Sequence, residues 1–260
     1  MTTLTTTASS SGSSMTSHQF DFLRDLVRRE SAIVLEAGKE YLIESRLAPI
    51  ARREGMGTVG ELVQRLVTSP AHPLRNVVID AMTTNETSFF RDVHPWQTLR
   101  EKILPELVEA RRNVRRLQIW CGAASSGQEP YSLAMLIHDA FPDVASNWSV
   151  TITATDLSES MVTRCSDARF SQLEVNRGLP AAMLMRYFRR EGAEWRLDEG
   201  IRRMVDVRTA NLVVPSSLPR GTGFDLVMLR NVLIYFDGAT KDRILADAHG
   251  RMKADGVLML

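Results

Sequence analysis

The chain has 260 residues, 44% hydrophobic, 24% charged and 7% aromatic, which allows one large domain or two modest ones with real cores and excludes disorder throughout. Its 32 Lys and Arg against 31 Asp and Glu leave a formal charge of +1, so nothing global favours nucleic acid or an anionic membrane, and any basic partner surface must be local. Two cysteines, Cys121 and Cys165, cannot form a disulfide framework and suit a reducing cytosol, and no apolar run approaches the roughly 20 residues of a membrane helix.

Residues 1–17 contain six Thr and six Ser and no charge. Without the basic start and apolar stretch of a secretory signal they read as a disordered tail, with Met15 an alternative start to Met1. From Ser17, a plausible N-cap, Phe20, Leu23 and Val27 recur at helical spacing. Further helices are expected at about Tyr41 to Glu54, Val59 to Val67 and Leu74 to Met82, separated by Gly55, Gly57 and the Ser69, Pro70, Pro73 cluster. Pro49 inside the second predicts a kink or a later start. Together these form a helical module over residues 18–83.

After Thr84, β and α segments alternate. Leu117 to Trp120, Val150 to Thr153, Met204 to Val207, Phe224 to Leu229 and Val257 to Leu260 read as strands. The segments Tyr131 to Phe141 and Lys241 to Met252 read as amphipathic helices, so an α/β fold with a parallel sheet flanked by helices is expected. The polar stretch Arg186 to Arg203 is expected to form a small antiparallel insertion.

The most informative segment is the run of small residues from Cys121 to Gly127 between the first strand and a helix opened by Pro130. It lies where open α/β sheets bind ligands, and it can equally be a tight turn with no ligand. Gly122 and Gly127 imitate a phosphate-binding loop, but Gln128 and Glu129 stand where that loop needs Lys and Ser or Thr. An acid here disfavours phosphates and favours an ammonium or sulfonium ligand, and S-adenosylmethionine carries both. Asp156 ends the second strand, where an acid can accept from ribose hydroxyls, or can simply cap the next helix. The five histidines, His18, His72, His94, His138 and His249, are scattered and neither cysteine sits in a C-x-x-C pair, so no metal is expected. Cys121 lies at the loop and reads as a small filler that can be accessible.

The run Met82 to Asp92, the loop Trp120 to Ser132, Ala154-Thr155-Asp156 and the run Leu229 to Asp237 resemble the chemotaxis receptor protein-glutamate O-methyltransferases, the CheR-type family. The resemblance covers nearly everything from residue 18 onward, in the order helical domain and then Rossmann-like class I methyltransferase domain. It implies an enzyme that transfers methyl from S-adenosylmethionine to glutamate side chains on the cytoplasmic helices of chemoreceptors. By motif, it implies a cofactor site lined by Asn85, Thr87, Arg91, Glu129, Asp156, Asn211, Leu212, Asn231 and Val232, with Arg91 and Tyr235 nearest the transferred methyl. Judged singly, Arg91 can be an interdomain fastener and Tyr235 a core residue beside Ile234 and Phe236. Residues 84–100 become a linker contributing to the cofactor site, and 101–260 the methyltransferase domain with its insertion at about 186–203.

The resemblance also implies that basic residues of the helical domain face acidic receptor helices, with Arg46, Arg52 and Arg53 as candidates and Arg28 and Arg29 as weaker ones. The module has nine basic and nine acidic residues from His18 to Asp80, so a basic face needs segregation, and a charge run is commonly only a solvated face. Some family members grip a receptor-tail pentapeptide with the β insertion. The short segment Arg189 to Met204 lacks the Gly-rich turn of that type, which predicts function without the tether. A cytoplasmic monomer that neither binds nucleic acid nor inserts in membrane is expected. The alternatives are a nucleic-acid methyltransferase, motivated by the basic run Arg111 to Arg116, another small-substrate methyltransferase, and a noncatalytic S-adenosylmethionine-binding module. Against base methylation, no Asn-Pro-Pro-aromatic or Pro-Cys motif follows the fourth strand. Family members continue past the fifth strand into a closing antiparallel hairpin, so the sequence predicts a truncated chain or a last strand covered by something else.

Overall fold

The computed structural model describes residues 15–36, 38–219 and 223–260. The chain divides into two units, with the boundary between Met82 and Thr83. Residues 1–14, most of the expected tail, lie outside the described residues. Met15 and Thr16 instead lead into the first helix, α1 (Ser17–Ser31), which Ser17 begins. Its N-cap is Thr16, one residue before the expected Ser17, because Thr16 and Gln19 close a reciprocal capping box at 3.3 and 2.9 Å. Met15 before the cap and Phe20 in the first turn are both buried.

The helical unit continues with α2 (Glu40–Arg53), α3 (Val59–Thr68) and α4 (Leu74–Met82). Leu23, Val27, Ile43, Leu47, Leu62, Val63 and Val78 are buried at the helical spacing the sequence suggests, each burial stabilising by about 1.5–3 kcal/mol. Helix α2 starts at Glu40 and runs through Pro49, so the later start is not observed. Pro49 and Ser45, whose carbonyl loses its helical partner, are both exposed, and water can replace the missing bond.

The second unit begins with a strap, residues 83–92, followed by α5 (Val93–Thr98), a π-helical turn (Leu99–Ile103) and α6 (Leu104–Arg111). Then come β1 (Arg116–Gly122), α7 (Gln128–Ala140), α8 (Pro142–Asn147), β2 (Ser149–Asp156), α9 (Glu159–Asp167), β3 (Arg169–Ser171), α10 (Gln172–Asn176), α11 (Ala181–Tyr187), β4 (Phe188–Glu191), β5 (Glu194–Leu197), α12 (Glu199–Arg202), β6 (Val205–Thr209), β7 (Phe224–Met228), a 3-10 turn (Leu233–Tyr235), α13 (Gly238–His249) and β8 (Met252–Met259).

The main sheet has the order β6-β2-β1-β7-β8 and every pair is parallel. The chain winds outward from β1 in one direction and from β7 in the other, so the loops after these neighbours diverge and open a crevice at their carboxyl ends. Helix α7 is buried at every position from Pro130 to Ile137, not amphipathic as expected, because both of its sides are packed. The insertion is the hairpin β4-β5, with a two-residue loop at Gly192 (φ 64°), and a third strand completes it. That strand, β3, comes from upstream of the expected boundary. It is three residues long, too short for an alternating pattern. Strand β8 is an edge of the main sheet, and Val257, Leu258 and Met259 on it are half-buried.

Candidate active site

The loop after β1 turns by placing Ala123 (φ 56°), Ser125 (φ 51°) and Gly127 (φ 97°) in left-handed backbone, at about 1–2 kcal/mol for each residue that carries a Cβ. The bonds Ala124 N to Thr155 O, 2.9 Å, and Ser125 N to Asp156 Oδ2, 2.7 Å, hold it. Its glycines are required by packing. A Cβ on Gly122 would lie 2.5 Å from Leu229, and one on Gly127 2.7 Å from the Cys165 sulfur. Gln128 is buried and accepts from Ser126 Oγ at 2.8 Å, so it offers no grip on a phosphate. Cys121 is wholly buried, so it packs as a small filler and is not accessible, and burial raises its thiol well above the usual range.

Asp156 is buried at the end of β2, with Oδ2 on Ser125 N and Oδ1 accepting from Ser158 N at 2.9 Å. It is not the cap of α9. That role falls to Ser158, whose Oγ accepts from Met161 N at 3.1 Å. The Asp156 carboxylate therefore brackets the loops after β1 and β2 at the floor of the crevice.

The strap is fixed along its length. Ser125 Oγ donates to Asn85 O at 2.9 Å, and Phe90 N donates to Ser132 Oγ at 3.0 Å. Phe89 is fully buried, edge-on to Phe170 of β3 at 5.0 Å and Phe188 of β4 at 5.7 Å. Arg91 stands between two residues in left-handed backbone, Phe90 (φ 47°) and Asp92 (φ 61°). Its Nη1 donates to Glu86 O at 2.9 Å, and among the described residues the rest of its guanidinium carries no hydrogen bond. Asn85 and Thr87 open onto a cavity of about 270 Å³ shared with Ser126, Gln128, Arg164 and Arg177.

Across the crevice, Arg230 leaves the end of β7 with a side chain only 3% exposed. Its Nη1 donates to Glu129 Oε2 at 3.0 Å, and its Nη2 to Arg91 O at 2.9 Å and Asp92 Oδ2 at 3.1 Å. Burial pushes the Glu129 carboxyl up to about 7, while the charge and hydrogen bond of Arg230 and the charge of Arg91 pull it back down. Among the described residues Glu129 Oε1 has no hydrogen-bond partner. The sequence offers Glu129 as a negative charge at the loop mouth, and its partner Arg230, which directly precedes Asn231 in the quoted run, is absent from the expected site residues.

Of the other expected residues, Asn231 (φ 55°) is exposed and Val232 is buried on the loop after β7. Tyr235 follows, half-buried, its hydroxyl bonded to no group among the described residues. Ile234 beside it is 71% exposed, so Tyr235 does not belong to a continuous core segment. Asn211 closes a turn after β6 through Ser217, and Leu212 is buried within reach of Gly122. In the helical unit Arg46 donates to Met82 O at 2.9 Å and so closes the end of α4. Arg52 is exposed, and Arg53 pairs with its neighbour Glu54 at 3.3 Å.

Two family models cover this chain. "CheR methyltransferase, all-alpha domain" matches residues 18–83, and "CheR methyltransferase, SAM binding domain" matches residues 85–260. The chain is 42% identical over 245 residues to chemotaxis protein methyltransferase 1 of Pseudomonas aeruginosa, covering 93% of this chain and 88% of the relative. It is 40% identical over 247 residues to chemotaxis protein methyltransferase Cher2 of Pseudomonas putida, with the same two coverages. To chemotaxis protein methyltransferase 1 of Vibrio cholerae it is 37% identical over 244 residues, covering 92% of this chain and 86% of the relative.

Proposed function

We propose, from the premise that this chain belongs to the CheR methyltransferase family, that it converts glutamate side chains on the cytoplasmic helices of chemoreceptors into methyl esters. The observation that carries this reading is the strap that brings Arg91, most of its guanidinium free of hydrogen bonds among the described residues, beside Glu129 at the mouth of the β1/β7 crevice.

The crevice suits S-adenosylmethionine by the chemistry of its groups. Two carboxylates, Glu129 and Asp156, face the loops at the carboxyl ends of β1 and β2, a set that accepts from an ammonium and from hydroxyls. When bound, the cofactor supplies an electrophilic methyl on sulfonium sulfur. Glu129 Oε1 is the acceptor for its ammonium and Asp156 for its ribose. Asn85, Thr87, Asn211, Leu212, Asn231 and Val232 line the remainder.

A glutamate with a pKa of about 4.3 is ionised at neutral pH, so the site needs no general base. It must supply alignment of the carboxylate oxygen with the methyl. Arg91 offers a planar fork that can hold one carboxylate oxygen and direct the other. The Tyr235 phenol, with no hydrogen-bond partner among the described residues, can orient the same group. The hold must stay loose, since an arginine that fully stabilised the ground-state carboxylate would weaken the nucleophile.

Arg52 and Arg53 are the residues through which the helical unit meets acidic receptor helices, whereas Arg46 serves the fold of that unit. The β4-β5 hairpin turns in two residues, which supports a protein that works without a pentapeptide tether. Micromolar binding of a receptor-tail pentapeptide would overturn that part. The central test is incubation with labelled S-adenosylmethionine and receptor cytoplasmic fragments, followed by alkaline hydrolysis. Base-labile label on glutamate supports the reading. Label entering nucleic acid, or cofactor binding without transfer, overturns it.

A further inference from the structure

We propose that Arg230 is a positioning residue that ties the Arg91 strap to Glu129 across the crevice between β1 and β7, so that the substrate clamp and the cofactor acid keep one geometry. This rests on the reading above and assigns Arg230 a role in which it touches neither the methyl nor the substrate carboxylate.

One guanidinium serves both walls. Nη1 holds Glu129, at the start of the helix after β1, while Nη2 holds the strap through Arg91 O and Asp92 Oδ2. Arg91 O also accepts from Trp96 Nε1 at 2.9 Å, and the Trp96 ring lies under the Arg230 guanidinium at 5.7 Å. The peptide carrying Arg91 is thus gripped from two sides by groups stacked on each other. That grip is needed because Phe90 and Asp92 hold left-handed backbone, a conformation such residues keep only when surroundings enforce it. The planar fork is essential, since a lysine ammonium placed to meet Glu129 cannot also reach both groups on the strap.

The tie has an electrostatic side. The charged and titratable groups facing Glu129 are Arg230 from the loop after β7, Arg91 from the strap and the buried neutral Cys121 at the end of β1, with Asp92 beyond Arg230. Both positive charges favour the ionised carboxylate, the form that accepts an ammonium. Losing Arg230 therefore weakens cofactor binding most at lower pH, where Glu129 becomes protonated.

The test uses the full chain and the variants Arg230→Lys, Arg230→Gln, Asp92→Asn, Glu129→Gln and Arg230→Lys/Glu129→Gln, each checked for its melting transition. Calorimetric binding of S-adenosylhomocysteine from pH 6.5 to 8.5 is compared with steady-state transfer to a receptor fragment. Arg230→Lys should lower kcat at least tenfold, and the affinity deficit of Arg230→Gln should shrink as pH rises. In the Glu129→Gln background, Arg230→Lys should cost little further affinity yet still lower kcat, since the bond to the strap is still lost. Asp92→Asn, at a residue with a side chain 59% exposed, keeps the test open if the Arg230 variants do not fold, and should lower kcat severalfold without changing cofactor affinity. Wild-type kcat in Arg230→Lys or, should that not fold, in Asp92→Asn, or losses in the double variant that simply multiply with no pH dependence, would overturn the proposal. The binding measurements need no protein substrate, so failure of the receptor reading would show separately, as a wild-type chain that binds cofactor and methylates no receptor glutamate.

Discussion

Arg111 at the end of α6 meets Asp225 on β7, 114 positions later, with its Nε 2.5 Å from a carboxylate that is wholly buried. The same carboxylate accepts from Gln118 N of β1 at 2.8 Å and Lys253 Nζ of β8 at 2.7 Å, and Arg111 also forks onto Asp255. One acid thus joins α6 and three strands at the end of the sheet away from the crevice. Asp225→Asn keeps the volume and removes the charge, leaving Arg111 poorly paired. Removing one partner of a buried pair costs about 3–5 kcal/mol, and the lower end is expected because Lys253 reaches solvent and Arg111 keeps Asp255. Urea unfolding at pH 7 should show this loss, with the affinity of the still-folded fraction for S-adenosylhomocysteine unchanged.

Gly178 holds the strap from behind. Its φ is +86°, and a Cβ there would lie 2.0 Å from the carbonyl oxygen of Phe89, an atom of the backbone that cannot swing aside. Gly178→Ala must therefore move the strap. A loss of about 2–3 kcal/mol in stability is expected, together with a fall in kcat larger than that in cofactor affinity, since Arg91 is two residues from the displaced carbonyl. Wild-type kinetics in a folded Gly178→Ala protein would show that the strap position does not set the rate.

Glu129 makes stability and binding respond to pH in opposite directions. Its carboxyl is pushed up to about 7 in the fold, chiefly by burial, from an ordinary value of 4.5. Between these values the folded chain keeps a proton that the unfolded chain has lost, so this residue's contribution to stability falls as pH rises through that window. The ionised form is the one that accepts an ammonium, so cofactor affinity rises over the same range and levels off above about 7. In the cofactor-free protein, Glu129→Gln should reduce the drop in melting temperature between pH 5 and 8. It should also flatten the rise in S-adenosylhomocysteine affinity measured by calorimetry.

The parallel sheet and its helices were legible because long apolar runs and turn residues report burial directly, and α4 falls on the expected residues. The short strand β3 was not, since three residues carry no period. The same contrast holds at the site. Arg91, Glu129 and Asp156 stand in recognisable motifs, but their partners are set by tertiary contacts, and an arginine such as Arg230 shows its role only when β1 and β7 become neighbours. Gly122 and Gly127 imitate a phosphate-binding loop in the sequence, whereas their missing side chains are explained by Leu229, Cys165 and Tyr131. Local pattern gives the layout of elements, and the purpose of a small or charged residue depends on what packs against it.

Tyr235→Phe isolates the hydroxyl. That group bonds nothing among the described residues, and phenylalanine keeps the ring packing, so the melting transition should hardly move. If the phenol orients the substrate carboxylate, its loss removes one hydrogen bond in the transition state, worth about 1.4 kcal/mol or a tenfold fall in kcat. S-adenosylhomocysteine affinity should stay within about twofold of wild type, as expected for a loss worth under 0.5 kcal/mol. An unchanged kcat would return Tyr235 to a packing role.

The three candidate arginines of the helical unit should separate by experiment. Arg46 is half-buried and bonded to the carbonyls that end α4, so Arg46→Ala should destabilise that unit by about 1–2 kcal/mol through the lost charge-assisted bonds. Arg52 and Arg53 are exposed on the last turn of α2, and reversing them should leave folding nearly intact. Against acidic receptor helices the double change Arg52→Glu/Arg53→Glu replaces two attractions by two repulsions. It should raise the KM for a receptor fragment by about tenfold or more at low ionic strength, and less in 0.5 M salt where the charges are screened. Cofactor affinity, measured in parallel, should not change. A KM that moves for Arg46→Ala and not for the reversed pair would place receptor recognition elsewhere on the helical unit.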